Sequence, residues 1–284
     1  MAAHLFVCYN GQYFSDSEFI FSSTNRAFRY GDGLFETMKM VNGKVLFFKD
    51  HYQRLNSGMK YLRMVVDKQG FSEQSLLKEI IALSEKNKTS KSCIVRLQVF
   101  RNSEGKYTPT KNDCSFIIET EPIKNISYIF NDKGLKLGLF NEEVKQVSYL
   151  SNIKTCNSLI YILAGIYKSE NKFDDVLILN NKGTISEAIS SNIFIVKNNE
   201  FITPPINDGC IDGIMRKQII GILKSNKKKI TESSLTVDHL LKADETFLTN
   251  TVNGITWVGA FKTKRYFNNQ SRWLTEILNS FINP

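Results

Sequence analysis

Ser151-Asn152-Ile153-Lys154-Thr155-Cys156-Asn157 sets a lysine between an apolar residue and a run of uncharged ones, after a predicted strand and just ahead of a predicted helix. Glu187, within Thr184-Ile185-Ser186-Glu187-Ala188-Ile189, follows 33 residues later, and Asp212-Gly213-Ile214-Met215-Arg216 then opens another helix. A lysine amine attacks a carbonyl only when deprotonated, which partial burial and cationic neighbours favour. Alone, Lys154 is a solvated loop cation, Glu187 fits an exposed turn equally well, and most glycine-opened helices bind nothing. Together they supply an amine for a Schiff base, a carboxylate for a protonated ring nitrogen, and free amides at the positive end of a helix dipole for a phosphate. Those are the parts that hold pyridoxal 5'-phosphate, and they mark the chain as an enzyme.

Working outward, 284 residues with 42% hydrophobic content suffice for two cores. Cys8, Cys93, Cys114, Cys156 and Cys210 are widely spaced and unpaired in pattern, which suggests neither a disulfide framework nor a zinc site and fits a reducing cytoplasm. The N-terminus lacks a basic region followed by an apolar stretch, and no segment is apolar enough to span a bilayer, so no membrane partner is expected. The net charge of +9 raises the question of nucleic acid. The densest basic run, Lys224 to Lys229, has no interleaved aromatics, so a solvated surface that draws small-molecule anionic substrates is the better reading.

The first ten residues alternate as a strand, and Phe35 to Phe48 reads as a hairpin turning at Asn42-Gly43. Leu55, Met59 and Leu62 have helical spacing, with Arg54 beside their stripe, and Ser72 caps a second helix through Leu76, Ile80 and Leu83. Strands at Cys93 to Phe100 and Cys114 to Ile118 complete a smaller α+β domain over 1–120. Residues 121–134, with Pro122 and Gly134, form the expected connection to a larger, sheet-dominated domain over 135–284. There a strand at Leu135 to Phe140 leads to Lys154, and a helix places Leu159, Ile162, Leu163 and Ile166 on one side. The fold class is α/β (α+β) in two domains.

Arg54 can clamp a phosphate and Thr251 can donate a hydroxyl, although each alone reads as structural. In the polar loop Arg101 to Thr108, Arg101 or Lys106 can meet a substrate carboxylate, and a plain hairpin connection serves as well. His4, His51 and His239 are far apart, so no metal site is expected.

With these pieces in order the chain resembles the class IV aminotransferases, the fold-type IV pyridoxal-phosphate enzymes. The motifs are Phe28-Arg29-Tyr30-Gly31-Asp32-Gly33-Leu34-Phe35-Glu36, His51-Tyr52-Gln53-Arg54-Leu55, Ile153-Lys154 with Asn157, Ser186-Glu187 with Ser191-Asn192-Ile193-Phe194, Thr203-Pro204-Pro205, Gly213-Ile214-Met215-Arg216 and Thr249-Asn250-Thr251. The resemblance implies that Lys154 holds the cofactor as a Schiff base and moves protons while Glu187 pairs with the pyridine nitrogen. It implies phosphate contacts from Arg54, the amides of Ile214 and Met215, and Thr251, with Ile211 under the ring. It also implies a cofactor between two α/β domains and a homodimer.

Met215 replaces the threonine common in transaminases and is similar to some aminodeoxychorismate lyases, Asn157 resembles the lyase and D-amino acid transaminase pattern rather than the glycine pair of branched-chain enzymes, and Phe35 stands where D-amino acid transaminases tend to carry tyrosine. Lys106 departs from the arginine frequent in lyase and D-amino acid transaminase loops. The expected activity is conversion of 4-amino-4-deoxychorismate to 4-aminobenzoate and pyruvate, a folate biosynthesis step. The alternative is a branched-chain or D-amino acid aminotransferase using the same lysine.

Overall fold

The computed structural model of the chain describes residues 5–17, 21–66 and 70–282. The chain divides into two compact units, Met1–Ile126 with Ile153–Asn157, and Ser127–Asn152 with Ser158–Pro284. A cut in the 121–134 stretch does not anticipate that 153–157, which carries Lys154, returns to the first unit.

The first unit is a sheet in the order β2-β1-β6-β5-β3-β4, formed by β1 (Phe6–Tyr9), β2 (Gln12–Ser15), β3 (Gly33–Val41), β4 (Lys44–Val45), β5 (Ser92–Arg101) and β6 (Cys114–Pro122). Helix α1 (Arg26–Tyr30) precedes β3, and α2 (Phe48–Tyr61) and α3 (Glu73–Lys86) follow the β3–β4 hairpin. The hairpin turns where its sequence predicts: Asn42 and Gly43 have φ of 48° and 75°, the pair of positive values that suits the right-handed strand twist. Its second strand is shorter than expected. It ends at Val45, and with Phe47 at φ 55° as N-cap, α2 begins at Phe48 rather than at Tyr52.

Leu34, Met38 and Met40 of β3 and Val95, Leu97 and Val99 of β5 pack in one core with Leu55 and Met59 of α2 and Leu76, Ile80 and Leu83 of α3. Full burial of each such side chain contributes roughly 1.5–3 kcal/mol. Ser72 caps α3 in a capping box with Ser75.

The second unit carries a nine-stranded mixed sheet. Its strands are β7 (Leu135–Lys145), β8 (Asp175–Asn180), β9 (Ile185–Ala188), β10 (Asn192–Lys197), β11 (Glu200–Thr203), β12 (Ile230–Glu232), β13 (Glu245–Asn250), β14 (Gly254–Phe261) and β15 (Lys264–Arg265). The order is β12-β11-β10-β13-β14-β7-β8-β9, with β15 pairing β14. Strand β7 runs parallel to both β14 and β8, so the chain crosses over between β7 and β8 through α4 (Tyr149–Asn152) and α5 (Leu159–Glu170). Helices α6 (Ile214–Ser225), α7 (Val237–Lys242) and α8 (Asn269–Ile282) complete the unit. Phe194 and Phe247 stack with centroids 5.2 Å apart, and Phe201 meets Phe247 edge-on.

The periodicity of α5 gives its apolar face but not its docking. Leu159, Ile162, Leu163 and Ile166 are exposed, whereas Ala164 is fully buried with Ile160, Tyr161 and Tyr167 packed around the same cluster. The helix is apolar nearly all round. The small Ala164 admits close approach to the sheet, so that stripe docks and the larger aliphatic one stays outside.

Candidate functional site

Lys154 is positioned by a short strand addition. Strand β4 pairs only with Met40 and Val41, leaving the edge of β3 open nearer its start, and 153–157 occupies it. Leu34 bridges Thr155, the Phe35 amide donates to the Lys154 carbonyl at 3.0 Å, and the Cys156 amide donates to the Gly33 carbonyl at 2.9 Å. Directly paired residues share a face, so Lys154 and Phe35 project together and the lysine Nζ lies 4.1 Å from the Phe35 ring centroid. Ile153 packs into the core below.

On the helix side of the same strand, Glu36 is buried and takes Arg54 in two bonds, Nε to Oε1 at 2.8 Å and Nη2 to Oε2 at 2.5 Å. His51 Nδ1 meets Oε2 at 2.7 Å. A carboxylate only accepts, so His51 is the Nδ1–H tautomer, and its buried Nε2 has no partner among the described residues. Burial alone would raise the Glu36 pKa. The Arg54 guanidinium overturns that, with hydrogen bonds from Arg54 and His51 adding to it, and the carboxyl is held at about 2. Burial lowers the His51 pKa against the pull of Glu36 and keeps the ring neutral. Arg54 is therefore aimed by an ionised partner that directly follows Phe35 in β3.

Arg101 is occupied differently from the substrate contact expected of it. It is buried, and its guanidinium donates to Asp32 at 3.0 Å, to Asn112 and to the Leu62 carbonyl at 2.8 Å, which ties the 102–113 loop to the sheet. Lys106 is exposed, and its carbonyl accepts from Arg26 at 2.6 Å.

In the second unit Glu187 is buried and fully oriented. Oε1 accepts from Lys145 and from the Tyr161 hydroxyl at 2.7 Å, and Oε2 accepts the Ile211 amide at 2.9 Å. Burial and the Glu187 charge push the Tyr161 hydroxyl well above the usual tyrosine range, and the same two causes push the Cys210 thiol up to about 12. Oxygen Oε1 has both lone pairs engaged, so Oε2 keeps the one acceptor position open to a ring N–H. Lys145 is the functional residue the sequence hides. It ends Asn141-Glu142-Glu143-Val144-Lys145, which reads as charged surface, and only the extension of β7 past Phe140 carries its side chain inside.

From Ile211 the chain passes directly to the start of α6, whose N-cap, Gly213, supplies no side chain to the free amides of the first turn. A Cβ on Gly213 would overlap the Asn192 amide oxygen. Asn192 Nδ2 in turn donates to the Ile211 carbonyl at 2.9 Å, and Asn152 Nδ2 holds the Ile206 and Cys210 carbonyls. Ile214 and Met215 bury their side chains and leave their amides at the helix entrance. Thr251 lies in a turn where Asn250 Oδ1 accepts the amides of Val252 and Asn253. Across the ladder from Asn192, Thr249 has a buried hydroxyl without a partner among the described residues.

These donor sets fit pyridoxal phosphate. The second unit offers a carboxylate with one open lone pair and, at most roughly 10 Å of extended chain away, an uncapped helix start suited to a phosphate. The first unit offers the Lys154 amine and the Arg54 guanidinium.

Residues 33–261 match the family model described as Amino-transferase class IV. The chain is 28% identical over 255 residues to a D-alanine aminotransferase of Staphylococcus aureus, covering 87% of this chain and 86% of that one. It is 23% identical over 237 residues to an aminodeoxychorismate lyase of Vibrio harveyi, covering 81% and 83%. In fold it is similar to the branched-chain aminotransferase of Thermoproteus uzoniensis, with a TM-score of 0.90 at 22% identity and coverage of 99% and 95%.

The ion groups have measurable consequences. An unfolded glutamate takes up its proton near the ordinary value of 4.5, whereas folded Glu36 resists protonation down to about 2. The stabilisation, about 3 kcal/mol, is therefore complete above the first value and lost as pH falls to the second. The urea midpoint of the wild type is expected to drop across that window by an amount that Glu36→Gln lacks. Lys145→Met leaves the buried Glu187 charge without its cation and is expected to cost about 3–5 kcal/mol of unfolding free energy in urea titrations.

Proposed function

Because the chain belongs to the class IV aminotransferase family, whose members depend on pyridoxal phosphate, we propose that it is a lyase releasing 4-aminobenzoate and pyruvate from 4-amino-4-deoxychorismate. The observation that carries the cofactor reading is Glu187, a buried carboxylate with one acceptor position left, joined through Ile211 to the uncapped start of α6. When bound, the cofactor supplies an aldehyde for amines and a ring that accepts an electron pair.

The residues divide the remaining work. Lys154 would hold the cofactor through its Nζ and, as a free amine, would take the proton from the amine-bearing carbon of the substrate. Glu187 Oε2 would accept a hydrogen bond from the ring nitrogen and favour its protonated form, and Ile211 would pack against the cofactor. Arg54, the amides of Ile214 and Met215, and Thr251 take the phosphate, and Phe35 lines the substrate side beside Lys154. Loss of the enolpyruvyl group as pyruvate leaves an aromatic amine, and aromatisation drives the step. Met215 supports the lyase over a transaminase, Asn157 supports it over a branched-chain aminotransferase and Phe35 over a D-amino acid transaminase. The likeness to D-alanine and branched-chain aminotransferases supports the second reading, transfer of the amine to a keto acid with the same Lys154 as the proton carrier.

The exposed stripe of Leu159, Ile162, Leu163 and Ile166 supports a homodimer, since an apolar row on one helix calls for a cover. Unpaired cysteines fit a cytoplasmic enzyme.

The deciding assay supplies 4-amino-4-deoxychorismate without any keto acid. Release of 4-aminobenzoate and pyruvate is expected, and Lys154→Ala is expected to abolish both this release and the borohydride-reducible lysine adduct seen by mass. Failure to release product, together with conversion of bound cofactor by an amino acid, would establish the aminotransferase instead. In sedimentation equilibrium the wild type is expected as a dimer and Ile162→Glu as a monomer; an unchanged dimer would place the interface elsewhere.

A further inference from the structure

We propose that Asn152 is a positioning residue that registers Lys154 against the loop running into α6, so that the lysine amine meets an aldehyde whose phosphate lies at the helix start. The proposal rests on the reading of Lys154 as the cofactor-bearing lysine. Residues 206–212 form one 3-10 turn at Ile206–Asp208 and otherwise no regular structure, so their backbone groups depend on side chains for partners. Asn180 Nδ2 donates to the Asp208 carbonyl at 2.9 Å, Glu187 Oε2 accepts the Ile211 amide, and Asn192 Nδ2 donates to the Ile211 carbonyl. Asn152 engages the loop three times. Its Nδ2 donates to the Ile206 carbonyl at 2.8 Å and to the Cys210 carbonyl at 2.7 Å, and its own carbonyl accepts the Asp212 amide at 3.3 Å.

Of these anchors Asn152 alone lies in the stretch that carries Lys154; the other three belong to β8, β9 and β10. Asn152 ends α4, and at most about 7 Å of extended chain separates it from the lysine. A shift of the loop at this anchor therefore reaches Lys154 through one intervening residue, Ile153. Helix α4 also lies close against the loop. Gly209 turns at φ 82°, and a Cβ on it would stand 3.1 Å from the Ser151 hydroxyl, which in turn donates to the Ser148 carbonyl at 2.6 Å.

Both N–H donors of the Asn152 amide are committed to carbonyl oxygens, so the position requires an amide. A carboxylate of the same shape would set acceptors against acceptors. The consequence is chemical as well as structural: condensation of the Lys154 amine with an aldehyde, which releases water, needs Nζ at the carbonyl carbon while the phosphate stays at the helix start. A misplacement of about 1 Å in such a reaction costs on the order of a hundredfold.

The test titrates the full chain, freed of cofactor, with pyridoxal 5'-phosphate and with 4-deoxypyridoxine 5'-phosphate, which carries a methyl group in place of the aldehyde and cannot condense. The ratio of the two affinities separates the lysine bond from the ring and phosphate contacts. Wild type is expected to prefer the aldehyde by about a hundredfold or more. Asn152→Asp is expected to cut that ratio by about tenfold. Should this variant not fold, Asn152→Gln, which keeps both donors on a longer stem, is expected to cut it by about threefold. Asn180→Asp removes a loop anchor remote from the lysine stretch and is expected to weaken both probes alike, leaving the ratio within about twofold. A ratio that the Asn152 variant leaves unchanged, or one that falls equally in Asn180→Asp, would overturn the proposal. Borohydride reduction separates the two levels. Equal affinities in the wild type with no reducible adduct on Lys154 sink the cofactor reading and this inference with it; an adduct in the wild type beside an Asn152-independent ratio sinks this inference alone.

Discussion

A buried negative charge is the constraint around which the second unit is arranged. Desolvation of an isolated carboxylate is prohibitive, so Glu187 exists inside only because Lys145, the Tyr161 hydroxyl and the Ile211 amide share it. Each of those partners comes from a different stretch: the end of β7, the first turns of α5 and the loop before α6. Satisfying one charge therefore fixes the relation of three elements and sets the Ile211–Gly213 turn where α6 begins. Asn192 locks the same turn and makes glycine obligatory at 213.

The first unit follows the same logic with opposite emphasis. Glu36 is ionised because Arg54 faces it, and that pairing aims a guanidinium from α2 along β3. On the other face of the strand, Phe35 gathers Lys154 from an added edge segment and Arg96 from the neighbouring strand. Adjacent residues 35 and 36 thus serve opposite faces, which the pleat makes automatic. One strand thus places two cations over one ring on one face and an ion-paired carboxylate on the other.

The α5 helix shows how burial is chosen when periodicity leaves two answers. Both of its apolar stripes could meet a sheet, and the one containing Ala164 wins because close approach gains more packing than bulk does. The excluded stripe then becomes surface, and the proposed second copy of the chain is its cover.

The sequence by itself singled out Lys154, Glu187, Gly213 and Arg54 by motif, and it determined the Asn42-Gly43 hairpin and the Ser72 cap because those depend on local chemistry: turn φ values and capping hydroxyls. The two-unit α/β character followed from alternating strand and helix periods. The tertiary structure alone decided that Lys145 is an inside residue, that Arg101 is tied to its own loop, that 153–157 joins the first unit, and which side of α5 docks. These are matters of desolvation and long-range pairing: a charge is read as surface until a distant partner is shown to neutralise it, and a strand edge is read as free until a segment over a hundred residues away fills it.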